Sequence, residues 1–262
     1  MTNYGRCLAN LALHFNCNIL ELDEEQLLDY LHTVKLNHKT PSESFFKHTV
    51  YGLRFVYRIF DMNGMRLKLP SIEKSKKLPV VLSKSEVKLL LKTPKLLKHR
   101  ILIGLLYGCG LRCFELRNLQ LKDLDFDRKM LHIRQGKGRK DRYVPLCDMH
   151  IRGLKTYIKS EHPKQWCFNG FDKDGKVVGL SSRGIQWVVK EARKVSGIEK
   201  EVSPHVLRHS YATHLLEMGL DIMSLKDLLG HANIETTLIY LHISQMGRQK
   251  PFSPLEKLYN TD

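Results

Sequence analysis

Four residues of three types able to act together on a phosphodiester stand in order near the C-terminal end of the chain. Ser203-Pro204-His205-Val206-Leu207-Arg208-His209 comes first, Gly230-His231-Ala232 follows, and Tyr240 closes the set. An arginine forks onto phosphate oxygens, histidine moves protons near neutral pH, and tyrosine can be a covalent nucleophile. No acidic cluster of the kind that holds magnesium is interleaved with them. The spacing says how they are held. Ser203 suits a helix cap and Pro204 the first helical position, so His205 and Arg208, three apart, share a face. Leu207, Tyr211, Leu215 and Met218 keep helical spacing for the other side. Gly219 ends this helix. Asp221 opens a second over Ile222 to Leu229, and Gly230 ends it with His231 just beyond. A third, from about Ile234 to Leu241, carries Tyr240 near its end.

Two further stretches add cations. In Gly110-Leu111-Arg112-Cys113-Phe114-Glu115-Leu116 an arginine sits among apolar residues and needs a partner. Glu115 is within reach, and a pair of this kind can simply knit a fold. Met130 to Arg134 and Arg142 to Leu146 alternate as short strands around Gly136-Lys137-Gly138-Arg139-Lys140, a hairpin with a basic, glycine-bounded tip. Taken alone, that tip is a charged, solvated turn.

Together these runs resemble the tyrosine recombinases, the phage integrase family. The resemblance rests on His205-x-x-Arg208-His209, Leu229-Gly230-His231, Thr236-Thr237-x-x-Tyr240 and the Gly-x-Gly-Leu-Arg-x-x-Glu-Leu run that ends at Leu116. It implies a mainly α fold with a small β-hairpin or sheet (α+β): a helical N-terminal core-binding domain followed by the catalytic domain. It also implies roles. Tyr240 attacks a scissile phosphate and forms a 3′-phosphotyrosyl bond, with His205 as base. Arg112 and Arg208 stabilise the non-bridging oxygens and His231 adds a hydrogen bond. Lys137 protonates the leaving 5′ oxygen, and Glu115 buttresses the site. No metal, cofactor or ATP is implied. The partner is double-stranded DNA carrying specific recombination sites, synapsed by a homo-tetramer. Alternatives are a type IB topoisomerase, which reseals the same strand, and a DNA-binding protein without catalysis. A metal nuclease using His205, His209, His214 and His231 lacks a zincin spacing and nearby ligating acids.

Composition fits a polyanionic partner. The 262 residues carry 43 Lys+Arg against 27 Asp+Glu, a net charge of +16 and a pI near 9.6. Cys7, Cys17, Cys109, Cys113, Cys147 and Cys167 form no CxxC pair and read as reduced and structural. No apolar run approaches transmembrane length and no signal-peptide segment opens the chain. Taken with the resemblance, which implies a bacterial or phage-type system, the expected location is the cytoplasm, on the nucleoid.

The elements that must position the site fall into four segments. Residues 1–69 read as a small helical domain: Leu8, Leu11, Leu13 and Phe15 mark a first helix, and Asp23 with Gln26 caps a second carrying Leu27, Leu28, Leu31 and Val34. Thr40-Pro41-Ser42-Glu43 opens a third, with Phe46, Val50, Leu53, Val56, Tyr57 and Phe60 for its core. On its other side Lys47, Arg54 and Arg58 are candidate phosphate contacts. Residues 70–82 are a basic linker with Lys74, Lys76 and Lys77. The catalytic domain spans 83–244, opening on the capping box of Ser83 and Glu86. Its candidate DNA-gripping residues are Arg139, Lys140 and Arg142 on the hairpin, and Arg183 and Arg193 on a helix over 182–195. The loop from Phe168 to Gly179 faintly resembles a calcium loop but lacks the ligand series. Residues 245–262 form a tail, with Phe252, Leu255 and Leu258 as anchors for docking on a neighbouring protomer.

Overall fold

The computed structural model describes residues 2–37, 42–72, 78–134, 141–241 and 243–244. The chain divides into two compact units, Met1–Lys76 and Lys77–Asp262.

The first unit is helical: α1 (Thr2–Phe15), α2 (Glu24–Asn37), α3 (Ser42–Ile59) and the short α4 (Asn63–Lys68). Asp23 and Gln26 cap α2 reciprocally, the Gln26 N–H donating to Asp23 Oδ1 (2.8 Å) and the Asp23 N–H to Gln26 Oε1 (3.1 Å). Leu11, Leu27, Leu31, Val50, Leu53 and Tyr57 form the core. Three expected core positions are exposed. Leu13 is two residues from buried Leu11, about 200° round the helix, and Leu28 likewise follows buried Leu27 by one step. Phe60 lies just past the end of α3, 58% exposed. Of the expected phosphate contacts here, Arg54 donates to the Pro70 carbonyl (2.9 Å) and Arg58 lies over the Phe55 ring.

The second unit holds α5 (Lys84–Lys92), α6 (Leu97–Gly108), α7 (Cys113–Arg117), a 3-10 turn (Leu121–Asp123), and strands β1 (Leu124–Asp125), β2 (Met130–Ile133) and β3 (Arg142–Pro145). Then come α8 (Asp148–Glu161), β4 (Asn169–Phe171), β5 (Val177–Gly179), α9 (Ser182–Ser196), α10 (Pro204–Glu217), α11 (Ile222–Leu229) and α12 (Glu235–Leu238). Strands β1–β3 make an antiparallel sheet in which Met130 faces Pro145 and Ile133 faces Arg142. Strands β4 and β5 form a separate hairpin. Its turn is built by Asp172, whose Oδ1 accepts the N–H groups of Asp174 and Lys176, so the acidic loop is a self-satisfied turn.

Helix α6 explains the unit's core. It is apolar all round, with Leu102, Ile103, Leu105 and Leu106 fully buried, and is the hub on which α8 and α10 pack. Helix α10 is unusual for a helix of polar sequence. Leu207, Arg208, Ser210, Tyr211, Ala212, Thr213, His214 and Leu216 are all buried. Two of its buried polar side chains are matched: Ser210 Oγ accepts the Leu82 N–H (2.9 Å) and donates to Val206 O (2.8 Å), and His214 Nδ1 meets the Tyr107 hydroxyl (2.9 Å), while Thr213 Oγ1 is buried without a hydrogen-bond partner among the described residues. Packed on nearly every side, α10 is a firm platform for the residues it presents. The expected burial of Met218 does not occur; it follows α10 and is exposed. Cys109 and Cys113 are free thiols facing the Pro145 and Ser182 carbonyls, small side chains filling the packing. Among the described residues no helix is long and apolar enough to cross a membrane, and no His/Cys/Asp/Glu group is arranged to hold a metal.

Candidate active site

The site is built outward from one carboxylate. Arg112 sits at the N-cap of α7, where its backbone N–H donates to Glu115 Oε2 (2.8 Å) and its guanidinium to Oε1 (2.9 Å). Arg142, on β3, reaches the same carboxylate with both terminal nitrogens, each at 2.8 Å, and its Nε donates to Leu228 O (2.8 Å). The third cation, Arg208, places NH1 3.8 Å from Glu115 Oε2. It is anchored on main-chain carbonyls, NH1 to Gly110 O (2.6 Å) and NH2 to Leu229 O (2.5 Å). Three guanidinium groups thus converge on one carboxylate, and the cluster they form carries two net positive charges. Burial by itself would raise the Glu115 carboxyl. The Arg142 hydrogen bonds and charge, with the Arg112 N–H and Arg208, overcome this and hold it down to about 2. Burial and the neighbouring Arg112 charge bring Arg208 down to about 10 despite Glu115.

Two glycines make this convergence possible. Gly110 has φ +59, and a Cβ there would stand 2.4 Å from the Tyr211 ring, so the loop delivering Arg112 tolerates no side chain. Gly230 has φ +61 and caps α11 in the left-handed conformation, which turns the chain so that His231 follows directly. There His231 Nε2 lies 3.3 Å from Arg208 NH2, and its Nδ1 is 2.9 Å from Thr237 Oγ1 on α12. Thr237 therefore fixes the imidazole's orientation from behind.

Tyr240 follows α12 rather than ending it. Helix α12 stops at Leu238, and the chain continues in tight turns in which Tyr240 N–H donates to Thr237 O (3.0 Å) and Ser244 N–H to Tyr240 O (2.9 Å). The phenol is buried and lies nearly parallel to His231, ring centroids 6.5 Å apart. Burial raises its pKa above the ordinary 10.0, opposed by Arg208 and Arg112. Its hydroxyl is 3.0 Å from Nδ1 of His209. His205, one turn before His209 on α10, is exposed at the mouth of the same cluster.

The structure thus gathers Arg112, Glu115, Arg208, His231 and Tyr240, with His205 at the rim. Lys137, Arg139, Lys140, Lys74, Lys76, Lys77 and the tail from 245 lie outside the described residues. Two of the expected DNA contacts are engaged with partners inside the protein. Arg142 turns inward, its side chain 8% exposed, to clamp Glu115. Alternation along the strand carries this signal, since Arg142 shares a pleat face with buried Val144. Arg193 ties off the end of α9 by donating to Ile198 O (3.1 Å) and Glu199 O (2.7 Å) and pairing with Glu201 (2.9 Å). Arg183 is exposed, in line with Trp187, Lys190 and Lys194 along one face of α9. His209 was missed as a partner of Tyr240; only its place beside Arg208 in the motif marked it.

The chain matches the phage integrase family over residues 80–246. It is 38% identical over 251 residues to a tyrosine recombinase of Thermosipho africanus (strain TCF52B), covering 92% of this chain and 85% of that protein. The tyrosine recombinase XerA of Thermococcus kodakarensis is 39% identical over 199 residues, 74% of this chain and 69% of that one. Among solved structures, XerH site-specific recombinase bound to a palindromic difH substrate superposes with a TM-score of 0.71 at 22% identity, over 88% of this chain and 72% of that one. A lambda integrase dimer bound to a COC′ core site gives 0.70 at 18% identity, over 97% and 91%. With a family match across most of the second unit and relatives aligned along nearly the whole chain, this protein belongs to the phage integrase family of tyrosine recombinases.

Proposed function

We propose that this recombinase cuts and rejoins double-stranded DNA through a 3′-phosphotyrosyl bond on Tyr240. The observation that carries the reading is the convergence of Arg112, Arg142 and Arg208 on the single carboxylate Glu115, beside a buried tyrosine. A scissile phosphate fits a site with this charge balance. Arg112 and Arg208 meet its non-bridging oxygens, with His231 and His205 as further donors, and so stabilise the charge that grows in the transition state. Because Glu115 and main-chain carbonyls already hold the guanidiniums, little reorganisation is left for the moment of reaction. Lys137, on the hairpin whose base is β2 and β3, protonates the departing 5′ oxygen.

The bond energy is kept in the phosphotyrosyl link, so a 5′ hydroxyl from a second duplex can attack it and exchange strands. Two duplexes with two cut sites each call for four protomers, and the tail from 245 is the segment proposed to join them. The helical first unit is proposed as the core-binding domain, with Lys47, Arg54 and Arg58 on phosphates and Arg183 opening the DNA face of α9. Lys74, Lys76, Lys77, Arg139 and Lys140 are proposed to add backbone contacts. The targets are specific recombination sites on DNA of the nucleoid, in the cytoplasm.

The test uses DNA flanking the gene, nicked near the cut site so that the freed fragment diffuses away. Wild-type protein is expected to leave a covalent protein–DNA band in the presence of EDTA, and Tyr240→Phe none. A band from Tyr240→Phe equal to wild type would end the reading.

A further inference from the structure

The motif contains two imidazoles one turn apart on α10, and family resemblance assigns the base to the first, His205. The geometry divides them differently. His205 is exposed, whereas His209 is half-buried with Nδ1 3.0 Å from the Tyr240 hydroxyl. We propose that His209 is the catalytic residue that accepts the proton of Tyr240 as the tyrosine attacks the phosphate. The inference rests on the reading of Tyr240 as nucleophile and deepens it.

The groups around this contact set the charge state of both partners. His205 and Arg208 face His209 from its own helix, His231 stacks on the phenol from beyond α11, and Arg112 acts on Tyr240 from the loop before α7. Burial, then His205 and Arg208, push His209 below its ordinary 6.5, while burial pushes Tyr240 above 10.0. Near neutral pH both are uncharged, and in the tautomer that the proposal assigns, with the ring proton on Nε2, the phenol O–H donates to a bare Nδ1. The ordinary values lie 3.5 units apart and the protein widens the gap. The neutral pair is therefore the resting state. The proton must move as the bond forms. As Tyr240 Oη bonds to phosphorus, electron density leaves the phenol oxygen, its proton becomes acidic, and His209 Nδ1 takes it. The bond from phosphorus to the 5′ oxygen breaks, and that oxygen is protonated by the group assigned to Lys137. Religation reverses each transfer, with His209 returning the proton to the departing phenolate.

Asparagine at 209 separates proton transfer from positioning, because its amide oxygen can still accept the hydroxyl hydrogen bond but cannot carry the proton. Single-turnover covalent-complex formation on a nicked substrate is measured against pH for wild type, His209→Asn and His209→Ala, with DNA binding and melting temperature as folding checks. Both variants are expected to lose about 10²–10⁴-fold at pH 7. Wild type should keep an acid limb below pH 6.5, whereas both variants should climb steadily toward alkaline pH as Tyr240 ionises unaided. With a 5′-bridging sulfur as leaving group, Lys137→Ala should recover and His209→Asn should not. A His209→Asn rate within a few-fold of wild type, or one that keeps the acid limb, would assign His209 to positioning and overturn the proposal. A covalent band from Tyr240→Phe would instead sink the nucleophile reading beneath it.

Discussion

The two halves of the candidate active site are held by different means. On one side, Arg112, Arg142 and Arg208 are locked to Glu115 and to the carbonyls of Gly110, Leu228 and Leu229, on elements buried in the main core. On the other, Tyr240 stands in a run of tight turns after a helix of four residues, its hydroxyl meeting one imidazole. The arginine half is fixed by hydrogen bonds and ion pairs, whereas the half that carries Tyr240, the proposed nucleophile, is held chiefly by packing in a small apolar cluster with Tyr211, Leu225 and Leu229. Damage to the first half should therefore cost both stability and rate, and damage to the second mainly rate.

The sharpest way to break this division is Glu115→Gln. Removing the charge leaves three guanidiniums around a neutral amide, and stability is expected to fall by about 3–5 kcal/mol, read by urea unfolding. If Glu115→Gln unfolds like wild type, the carboxylate is not the keystone. Arg142→Ala should follow, with about 2–4 kcal/mol lost and cleavage slowed, because Glu115 and the Leu228 carbonyl lose their partner together. Arg142→Lys should not restore it, since a point charge cannot reproduce the fork.

Gly110→Ala comes next. A Cβ in contact with the Tyr211 ring at a left-handed φ should cost about 1–3 kcal/mol and displace the Arg208 anchor. A melting temperature unchanged by that methyl would mean the loop is softer than described.

Thr237→Val tests the nucleophile half. It frees His231 Nδ1 while keeping the side-chain shape, so the covalent-complex rate should drop by roughly tenfold with stability changed by about 1 kcal/mol or less. A large loss of stability with an unchanged rate would reverse the assignment of the two halves.

The same carboxylate can be tested in acid. Glu115 has a depressed folded-state pKa of about 2 against an ordinary 4.5, so its contribution is fully present above pH 4.5 and is lost as pH falls toward 2. Wild type should lose stability across that window more steeply than Glu115→Gln. Parallel curves would deny the shift.

Much of this was legible in the sequence where a local rule decides the outcome. Ser83 with Glu86, Asp23 with Gln26 and Ser203 before Pro204 cap helices because each needs only neighbours three residues away. The ordering of Arg112, Arg208, His231 and Tyr240 pointed to the family, and two of them are also placed by local rules: Arg112 at the N-cap of α7 just after Gly110, and His231 just after the Gly230 stop of α11. Contacts across long separations were less legible. Arg142 and Glu115 are 27 residues apart and His209 and Tyr240 are 31 apart, and no spacing along the chain states which side chains will meet. Arg193 resembles a surface cation until the loop after α9 folds back to present its carbonyls. The exposed Phe60 shows the converse limit, an apolar residue in phase with the core but one step beyond the helix that would have buried it.

The socket of Arg208 is made from the main-chain oxygens of residues 110 and 229. Every amino acid offers the same carbonyl. At Leu229, then, the identity of the side chain is decided by packing alone and the arginine's grip does not depend on it. Selection can revise the residues around that arginine without renegotiating how it is held. Under the proposed function, the machinery for breaking a strand and the outward face of α9 proposed to meet DNA can drift at different speeds in one chain.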